Sequence, residues 1–360
     1  MGEGQRKLKV LVVDDSAFIR KFIGNIIRED KELELVGTAR DGYDALEKCK
    51  SLRPHVLTLD VDMPRLNGLE TLRRLMGENP LPVVMVSSLT REGSAITIEA
   101  LSSGAVDFVN KPALFKGENA DGFKDELPEK IKTAARARVC RDQANVRMPP
   151  APGLASQPVL AKQWGMKNSL PRNIVAIASS TGGPRALDLV FRDLPAGLPA
   201  AFFVTQHMPA GFTESLSQRL DRISDLKVRE AKGGENIKEG EAYVAPGGYH
   251  LVVHKHGLTQ LSSALPVQHV RPSADVMMGA LAEFFGKVVI GVILTGMGRD
   301  GAEGMARIKA KGGRTIVQDP ATAVIPSMPQ AVLKNVKVDM VVPLEQIGTC
   351  IMRLLHDKER

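Results

Sequence analysis

Between residues 8 and 111 short apolar runs alternate with stretches whose apolar residues recur every three or four positions. The runs lie at 10–13, 33–37, 56–59, 83–86 and 106–109. In one intervening stretch Phe18, Phe22, Ile23, Ile26 and Ile27 fall on one helical face. Five such units predict a five-stranded, doubly wound parallel sheet whose working groups lie beyond the carboxyl ends of the strands. A last amphipathic helix is expected over 123–139, with Phe123, Leu127, Ile131, Ala134 and Ala135 on its apolar face. The period then fails across a proline-bearing stretch and resumes at residue 173. Apolar runs follow at 174–177, 200–205, 288–294 and 315–318, and a two-stranded ribbon is expected at 249–253 and 258–262. This second half reads as another doubly wound, mostly parallel α/β domain. The boundaries expected are 1–140, a linker over 141–170, and 171–360.

At 360 residues the chain has length enough for two separate cores. No apolar run approaches membrane-spanning length, and the polar N-terminus lacks a signal-peptide core, so a cytoplasmic protein without membrane insertion is expected. Cys49, Cys140 and Cys350 have neither disulfide parity nor zinc spacing. The net charge of +7 invites a nucleic-acid reading, but residues 130–172 hold nine Lys or Arg against one acid, and the rest of the chain is close to neutral. That basic segment is rich in Pro and Ala without interleaved aromatics, so it reads as a solvated tether and no nucleic-acid partner is expected. Its Trp164 marks either a docking point or packing on the nearer domain.

The chemistry is expected at the strand ends. In the first half, strand one ends in Asp14-Asp15, strand three in Asp60 followed by Asp62, strand four in Ser87-Ser88, and strand five in Asn110-Lys111-Pro112. Carboxylates converging on one edge repel unless a cation neutralises them, and hard oxygen ligands suit Mg²⁺. A lysine and a hydroxyl opposite them suit the oxygens of a transferred phosphoryl group.

In the second half, residues 173–184 (Asn-Ile-Val-Ala-Ile-Ala-Ser-Ser-Thr-Gly-Gly-Pro) read as a buried strand turning sharply into a helix. A serine at such a turn stands clear of the backbone. The tight turn wants small residues two places before and after the nucleophile; Ala178 and Gly182 satisfy this for Ser180, whereas Ser179 would have Ile177 and Thr181. A phosphate-cradling glycine loop is the alternative. His207 and Asp300 also lie just past strand patterns, so Ser180, His207 and Asp300 can share one rim as nucleophile, base and acid. Asp319 is the runner-up acid. His250, His254 and His256 could bind a metal but are expected to face solvent on the ribbon. His269 and Arg271 are expected to line a substrate groove.

Val-Asp-Asp-Ser, Leu-Asp-Val-Asp-Met-Pro, Val-Ser-Ser and Asn-Lys-Pro resemble the signature set of response-regulator receiver domains, over roughly residues 8–139. The resemblance implies a flavodoxin-like fold and Asp60 as phosphate acceptor. It implies Mg²⁺ bound by Asp15, Asp60 and the backbone carbonyl of Asp62, with Asp14 assisting. Ser87 and Lys111 are implied as phosphoryl contacts and Phe108 as the responding aromatic. From residue 173 onward, Ser-Ser-Thr-Gly-Gly-Pro, Thr-Gln-His-Met-Pro, Ala-Pro-Gly-Gly, Arg-Pro-Ser-Ala-Asp-Val and Gly-Val-Ile-Leu-Thr-Gly-Met-Gly-Arg-Asp-Gly resemble the chemotaxis protein-glutamate methylesterase family. The order Ser…His…Asp differs from the Ser…Asp…His of α/β-hydrolases, so a different fold is expected. One departure stands out: the family's usual Gly-Ala-Ser-Thr is here Ala178-Ser179-Ser180-Thr181.

The resemblance implies a carboxylic ester hydrolase that demethylates chemoreceptor glutamates and deamidates glutamines, with no cofactor in the catalytic domain. The Met297 amide and Thr181 are implied to help bind the oxyanion or hold His207. Methyl-accepting chemoreceptors are the implied substrate, a chemotaxis histidine kinase the phosphodonor, and the chain is expected to be a monomer. The unphosphorylated receiver is expected to cover the Ser180 rim. A DNA-binding output or a silent phosphate sink are the rival readings; the first would need a compact basic helix-turn-helix, which the glycine-rich second half does not offer.

Overall fold

The computed structural model describes residues 7–88, 90–111, 121–139, 170–254 and 256–356. The expected linker lies outside the described residues except for Leu170, as do Trp164, Cys140 and Pro112. In the first domain β1 (Leu8–Val13), β2 (Leu33–Ala39), β3 (Val56–Asp60), β4 (Val83–Ser87) and β5 (Asp107–Asn110) alternate with five helices. These are α1 (Ala17–Glu29), α2 (Gly42–Leu52), α3 (Gly68–Glu78), α4 (Arg91–Ser102) and α5 (Asp121–Ala135). The strands run in the order β2-β1-β3-β4-β5, every pairing parallel. β3 and β4 are buried along their whole length because helices cover both faces, which is why they read as unbroken apolar runs.

α5 stops at Ala135, short of the expected residue 139. The Arg136 and Ala137 amides reach back only three residues, to Thr133 and Ala134, tightening the last turn. Arg138 then leaves the helix, and its amide bonds the Val324 carbonyl of the second domain.

The second domain contains β6 (Asn173–Ser179), α6 (Gly183–Arg192), β7 (Ala200–Gln206), α7 (Phe212–Ile223), β8 (Lys227–Glu230) and β9 (Glu241–Val244). The ribbon β10 (His250–His254) and β11 (Leu258–Ser262) follows, then α8 (Ala274–Phe285) and β12 (Val289–Ile293). α9 (Ala302–Ala310), β13 (Arg314–Gln318), α10 (Ser327–Asn335), β14 (Met340–Val342) and α11 (Ile347–His356) complete it. The seven-stranded sheet has the order β14-β13-β12-β6-β7-β9-β8 and is parallel throughout, while β10 and β11 pair antiparallel apart from it. The chain builds outward from β6 through β7, then returns to lay β12 on β6's other side. That reversal opens a crevice at the carboxyl end of β6, the usual ligand position in open α/β sheets.

Side chains alternate across β6. Val175 and Ile177 meet α6, α7 and α11, whereas Ile174, Ala176 and Ala178 meet α8, α9 and α10. Burying an apolar side chain of this size contributes about 1.5–3 kcal/mol, so three adjoining central strands rigidly locate the loops that leave them. The first of these clusters is continuous with the core of the first domain through Leu101 and Phe108. α4 packs on α6 and α7, and the Phe108 and Phe212 rings lie 4.3 Å apart. None of the described helices is long and apolar enough to cross a membrane.

Candidate active site and acidic cluster

β6 ends at Ser179, and the chain must turn within three residues to begin α6. Gly182 takes a left-handed φ of 77° at the helix N-cap. A Cβ on Gly183 would come within 1.9 Å of Gln206 Oε1, so a side chain there would displace the Gln206 amide from its place. The two serines then diverge. Ser179 is fully buried and donates to Gln206 Oε1 at 2.6 Å. Ser180 is half-buried and lines a cavity of about 490 Å³. The accessible hydroxyl is therefore that of Ser180, the position singled out by turn geometry.

His207 follows β7, the strand beside β6, and lines the same cavity. Its Nε2 lies 2.8 Å from Asp300 Oδ2. Asp300 follows β12, on β6's other side, and its carboxylate is held from several directions. Ser273 Oγ donates to it at 2.8 Å, the Ala274 amide at 2.6 Å and the Asp275 amide at 3.0 Å. These donors are the N-cap and first turn of α8, whose partial positive charge favours an anion. Burial acts to raise the Asp300 carboxyl, but His207 and the two amides outweigh it and leave its pKa below the usual value. Asp275 answers in kind: its Oδ1 accepts the Gly301 amide at 2.9 Å and the Gly304 amide at 2.8 Å, at the start of α9. Burial, with the adjacent Asp300 charge, pushes Asp275 up to about 6.

Thr181 and Met297 also line the cavity, and among the described residues neither backbone amide donates to a protein acceptor. The Thr181 side chain does not hold His207; its Oγ1 donates to Asp107 Oδ2 of the first domain at 2.6 Å. His269 and Arg271 line the cavity as expected of groove residues. Asp319 does not join the cluster; it accepts the Ala321 amide at 2.8 Å within its own turn. The histidine expectation needs correcting at one position. His250 does not face solvent but is fully buried, accepting the Ser273 amide at Nδ1 (3.1 Å) and lying 3.1 Å from the Leu265 carbonyl through Nε2. His250 shares its strand face with the exposed His254, but it opens β10, where Ser273 at the head of α8 and the Leu265 carbonyl cover it and answer both nitrogens. Among the described residues no histidine joins a metal-ligand group.

The first domain walls the cavity. Leu101, Val106, Asp107, Phe108, Glu126, Lys130 and Thr133 line it opposite Ser180 and His207. The Gly182 amide bonds the Val106 carbonyl at 3.3 Å. Lys130 lies 3.1 Å from Asp107 and 4.9 Å from the Phe108 ring centre. Arg138 donates to the Pro320 and Ala321 carbonyls at 2.9 and 2.8 Å.

On the receding edge of the first domain, oxygens of Asp14, Asp15 and Asp60 lie within 4.8 Å of one another. Lys111 Nζ bridges Asp14 Oδ2 at 2.8 Å and Asp60 Oδ2 at 2.7 Å. Burial pushes the Asp60 carboxyl up to about 6; Lys111 opposes the rise and Asp14 adds to it. Burial acts to lower Lys111, yet the two carboxylates carry it above its ordinary value. Three hard oxygen donors with one cation between them form a donor set that fits Mg²⁺. Asp62 donates its amide to Asp60 Oδ1 at 3.4 Å. Ser87 Oγ is turned toward α4, accepting from Thr97 Oγ1 at 2.7 Å, and Phe108 is buried against Phe212.

Two family models match: CheB methylesterase over residues 175–351 and the response regulator receiver domain over residues 10–116. A protein-glutamate methylesterase/protein-glutamine glutaminase of Symbiobacterium thermophilum is 47% identical over 356 residues, covering 98% of each chain. One of Pyrococcus abyssi is likewise 47% identical, covering 98% of this chain and 94% of its own. A solved CheB methylesterase catalytic domain of Thermotoga maritima is 42% identical, with 51% of this chain and 98% of that one covered at a TM-score of 0.49. The chain belongs to the protein-glutamate methylesterase/protein-glutamine glutaminase family.

Several residues of this methylesterase site escaped the motif reading. Gln206 donates through Nε2 to the Ser180 carbonyl at 2.9 Å, tying the Ser180 turn to the loop that carries His207. Thr295 donates through Oγ1 to the Thr181 carbonyl at 3.0 Å, and its own carbonyl accepts the Ser180 amide at 3.0 Å. Ser273 had a visible signal, a cap residue before a helical run with an acid two places on. Asp107 had none, because an acid at the start of a strand is ordinary and its partner lies in the other domain.

Proposed function

We propose that the chain hydrolyses glutamate methyl esters on chemoreceptors, and deamidates receptor glutamines, under control of phosphorylation at Asp60. One observation carries the catalytic half. His207, paired with the buried Asp300, opens on the same cavity as Ser180, the accessible serine of the strand-to-helix turn.

Ser180 Oγ attacks the side-chain carbonyl carbon of the substrate. Because Nε2 of His207 is engaged by Asp300, Nδ1 takes the hydroxyl proton and returns it to the departing methanol. Asp300 fixes the tautomer and stabilises the imidazolium. The Thr181 and Met297 amides are disposed to donate to the oxyanion, and losing one such donor costs about 3 kcal/mol in the transition state. Water, activated by the same imidazole, then releases the glutamate. A primary amide presents the same carbonyl with ammonia as the leaving group, which accounts for the glutaminase activity.

In the receiver, Asp15, Asp60 and the Asp62 carbonyl are the residues suited to hold Mg²⁺, with Asp14 assisting. The ion, when bound, neutralises charge on the phosphoryl oxygens. Lys111 and Ser87 complete the contacts once Ser87 leaves Thr97. That departure gives up a hydrogen bond to α4, the helix seated on α6 and α7. Phe108, tilted against Phe212 with ring centres 4.3 Å apart, would carry the change to the wall over Ser180. The implied partners are methylated chemoreceptors as substrate and a chemotaxis histidine kinase as phosphodonor.

Methanol release from methylated receptor, with and without a small phosphodonor, tests both halves. Turnover should vanish in Ser180→Ala and rise with phosphodonor only when Asp60 is intact. Retained turnover in Ser180→Ala overturns the nucleophile. Removing residues 1–169 should raise the basal rate; an unchanged or lower rate overturns the covering role of the receiver.

A further inference from the structure

We infer that Ser179 and Gln206 form a positioning pair that sets the nucleophile loop against the loop of the base. The inference rests on the esterase reading of the site and concerns Ser179, one of the two residues at which this chain departs from the Gly-Ala-Ser-Thr motif usual in its family. That motif has alanine before the nucleophile, where a methyl group offers Gln206 no hydrogen bond. Here the Ser179 hydroxyl donates to Gln206 Oε1 at 2.6 Å, inside protein that leaves Ser179 0% and Gln206 2% exposed. With its oxygen fixed, the amide plane of Gln206 can turn only one way. Its Nε2 then faces the Ser180 carbonyl at 2.9 Å and the His207 carbonyl at 3.4 Å. One side chain thus spans the backbone on either side of the reacting pair. The backbone bond from the His207 amide to the Ser179 carbonyl, 3.2 Å, extends the β6–β7 ladder to the same point.

Gly183 makes room for this arrangement: a Cβ there would meet Gln206 Oε1 at 1.9 Å and Ser179 Oγ at 2.8 Å. The side-chain amide, the preceding hydroxyl and the missing side chain of the next turn therefore act as one unit. Ser179 does not line the cavity, and Gln206, which borders it, engages the Ser180 and His207 carbonyls rather than a reacting atom, so both are positioning residues. Their effect should fall on kcat, through the relative placement of Ser180 and His207, with little on KM.

The experiment uses the full-length protein and three variants, Ser179→Ala, Gln206→Met and the two combined, each assayed for methanol release and thermal unfolding. Ser179→Ala strands a buried carbonyl oxygen, so kcat should fall about five-fold and Tm should drop. Gln206→Met removes the grip on Ser180 as well and should cost about ten-fold or more in kcat. In the double variant both buried polar partners are gone, and a matched apolar pair restores most of the Tm. Its kcat should nevertheless stay as low as that of Gln206→Met. A kcat that recovers together with Tm, or single variants with wild-type kcat, would overturn the positioning role. Absence of turnover in the unmodified protein would instead refute the esterase reading.

Discussion

The two domains place their chemistry at the same address, the carboxyl edge of a parallel sheet, and then treat a buried carboxylate in opposite ways. Asp300 is surrounded by donors: an imidazole, a hydroxyl and two amides at a helix start draw its pKa down. Asp60 is buried beside Asp14, and burial together with that charge outweighs Lys111 and pushes it up to about 6. The first is a finished electrostatic arrangement that needs nothing added in order to orient His207. The second sets carboxylates side by side with Lys111 as the cation that bridges two of them. A parallel sheet supplies the edge in both domains; burial and the balance of donors and carboxylates around the acid decide in which direction its pKa moves.

The sharpest break of this contrast is Asp300→Asn, which should lower kcat about 10⁴-fold while leaving receiver phosphorylation intact, as measured by methanol release and phosphate incorporation. Asp60→Asn should do the reverse, abolishing phosphate incorporation and the phosphodonor response while the basal esterase rate stays within about two-fold.

The next effect sits where the two regions touch. Asp107→Ala removes the carboxylate that holds Thr181 and pairs with Lys130, so the basal rate should rise about ten-fold. The ratio of stimulated to basal rate should shrink accordingly. An unchanged basal rate would show that the remaining contacts, Phe108 on Phe212, Gly182 on Val106 and Arg138 on residues 320–324, keep the receiver in place without Asp107.

The smallest effect is on stability, and its sign differs between the two acids. The folded pKa of Asp60 lies above its unfolded value, so the folded state holds the extra proton between about pH 4 and 6. Receiver stability therefore falls as pH rises through that window, by up to about 3 kcal/mol. Asp60→Asn should flatten the slope and stabilise the first domain by about 2 kcal/mol at pH 7. Asp300, whose folded pKa is depressed, contributes stability that is present above its ordinary range and lost as pH falls below about 4. Asp300→Asn should accordingly destabilise the second domain at pH 7, by about 1–3 kcal/mol. Urea unfolding followed separately for each domain checks both signs.

Much of this arrangement could be read along the chain. Apolar runs and period-3.6 patterning located β1 through β7, most plainly β3, β4, β6 and β7, which are buried along their whole length and so apolar nearly throughout. Short edge strands such as β8 (Lys227–Glu230) and β14 (Met340–Val342) escaped, since a strand with one neighbour and solvent beside it keeps charged or isolated residues. His250 was misplaced for a related reason. Nothing local distinguishes a histidine on the wet face of a ribbon from one whose two nitrogens are answered by Ser273 and Leu265.

What the order of residues determined by itself was which side chains emerge at strand ends: Asp14, Asp15, Asp60 and Lys111 in one domain, Ser180, His207 and Asp300 in the other. Covalent neighbours suffice for that, because a turn out of a buried strand needs small or polar residues wherever it occurs. The tertiary structure alone decided what those side chains meet. His207 and Asp300 are 93 positions apart, and Thr181 and Asp107 are 74 apart across two domains. Such contacts depend on the strand order β12-β6-β7 and on the seating of α4 against α6 and α7, which no short stretch of sequence encodes.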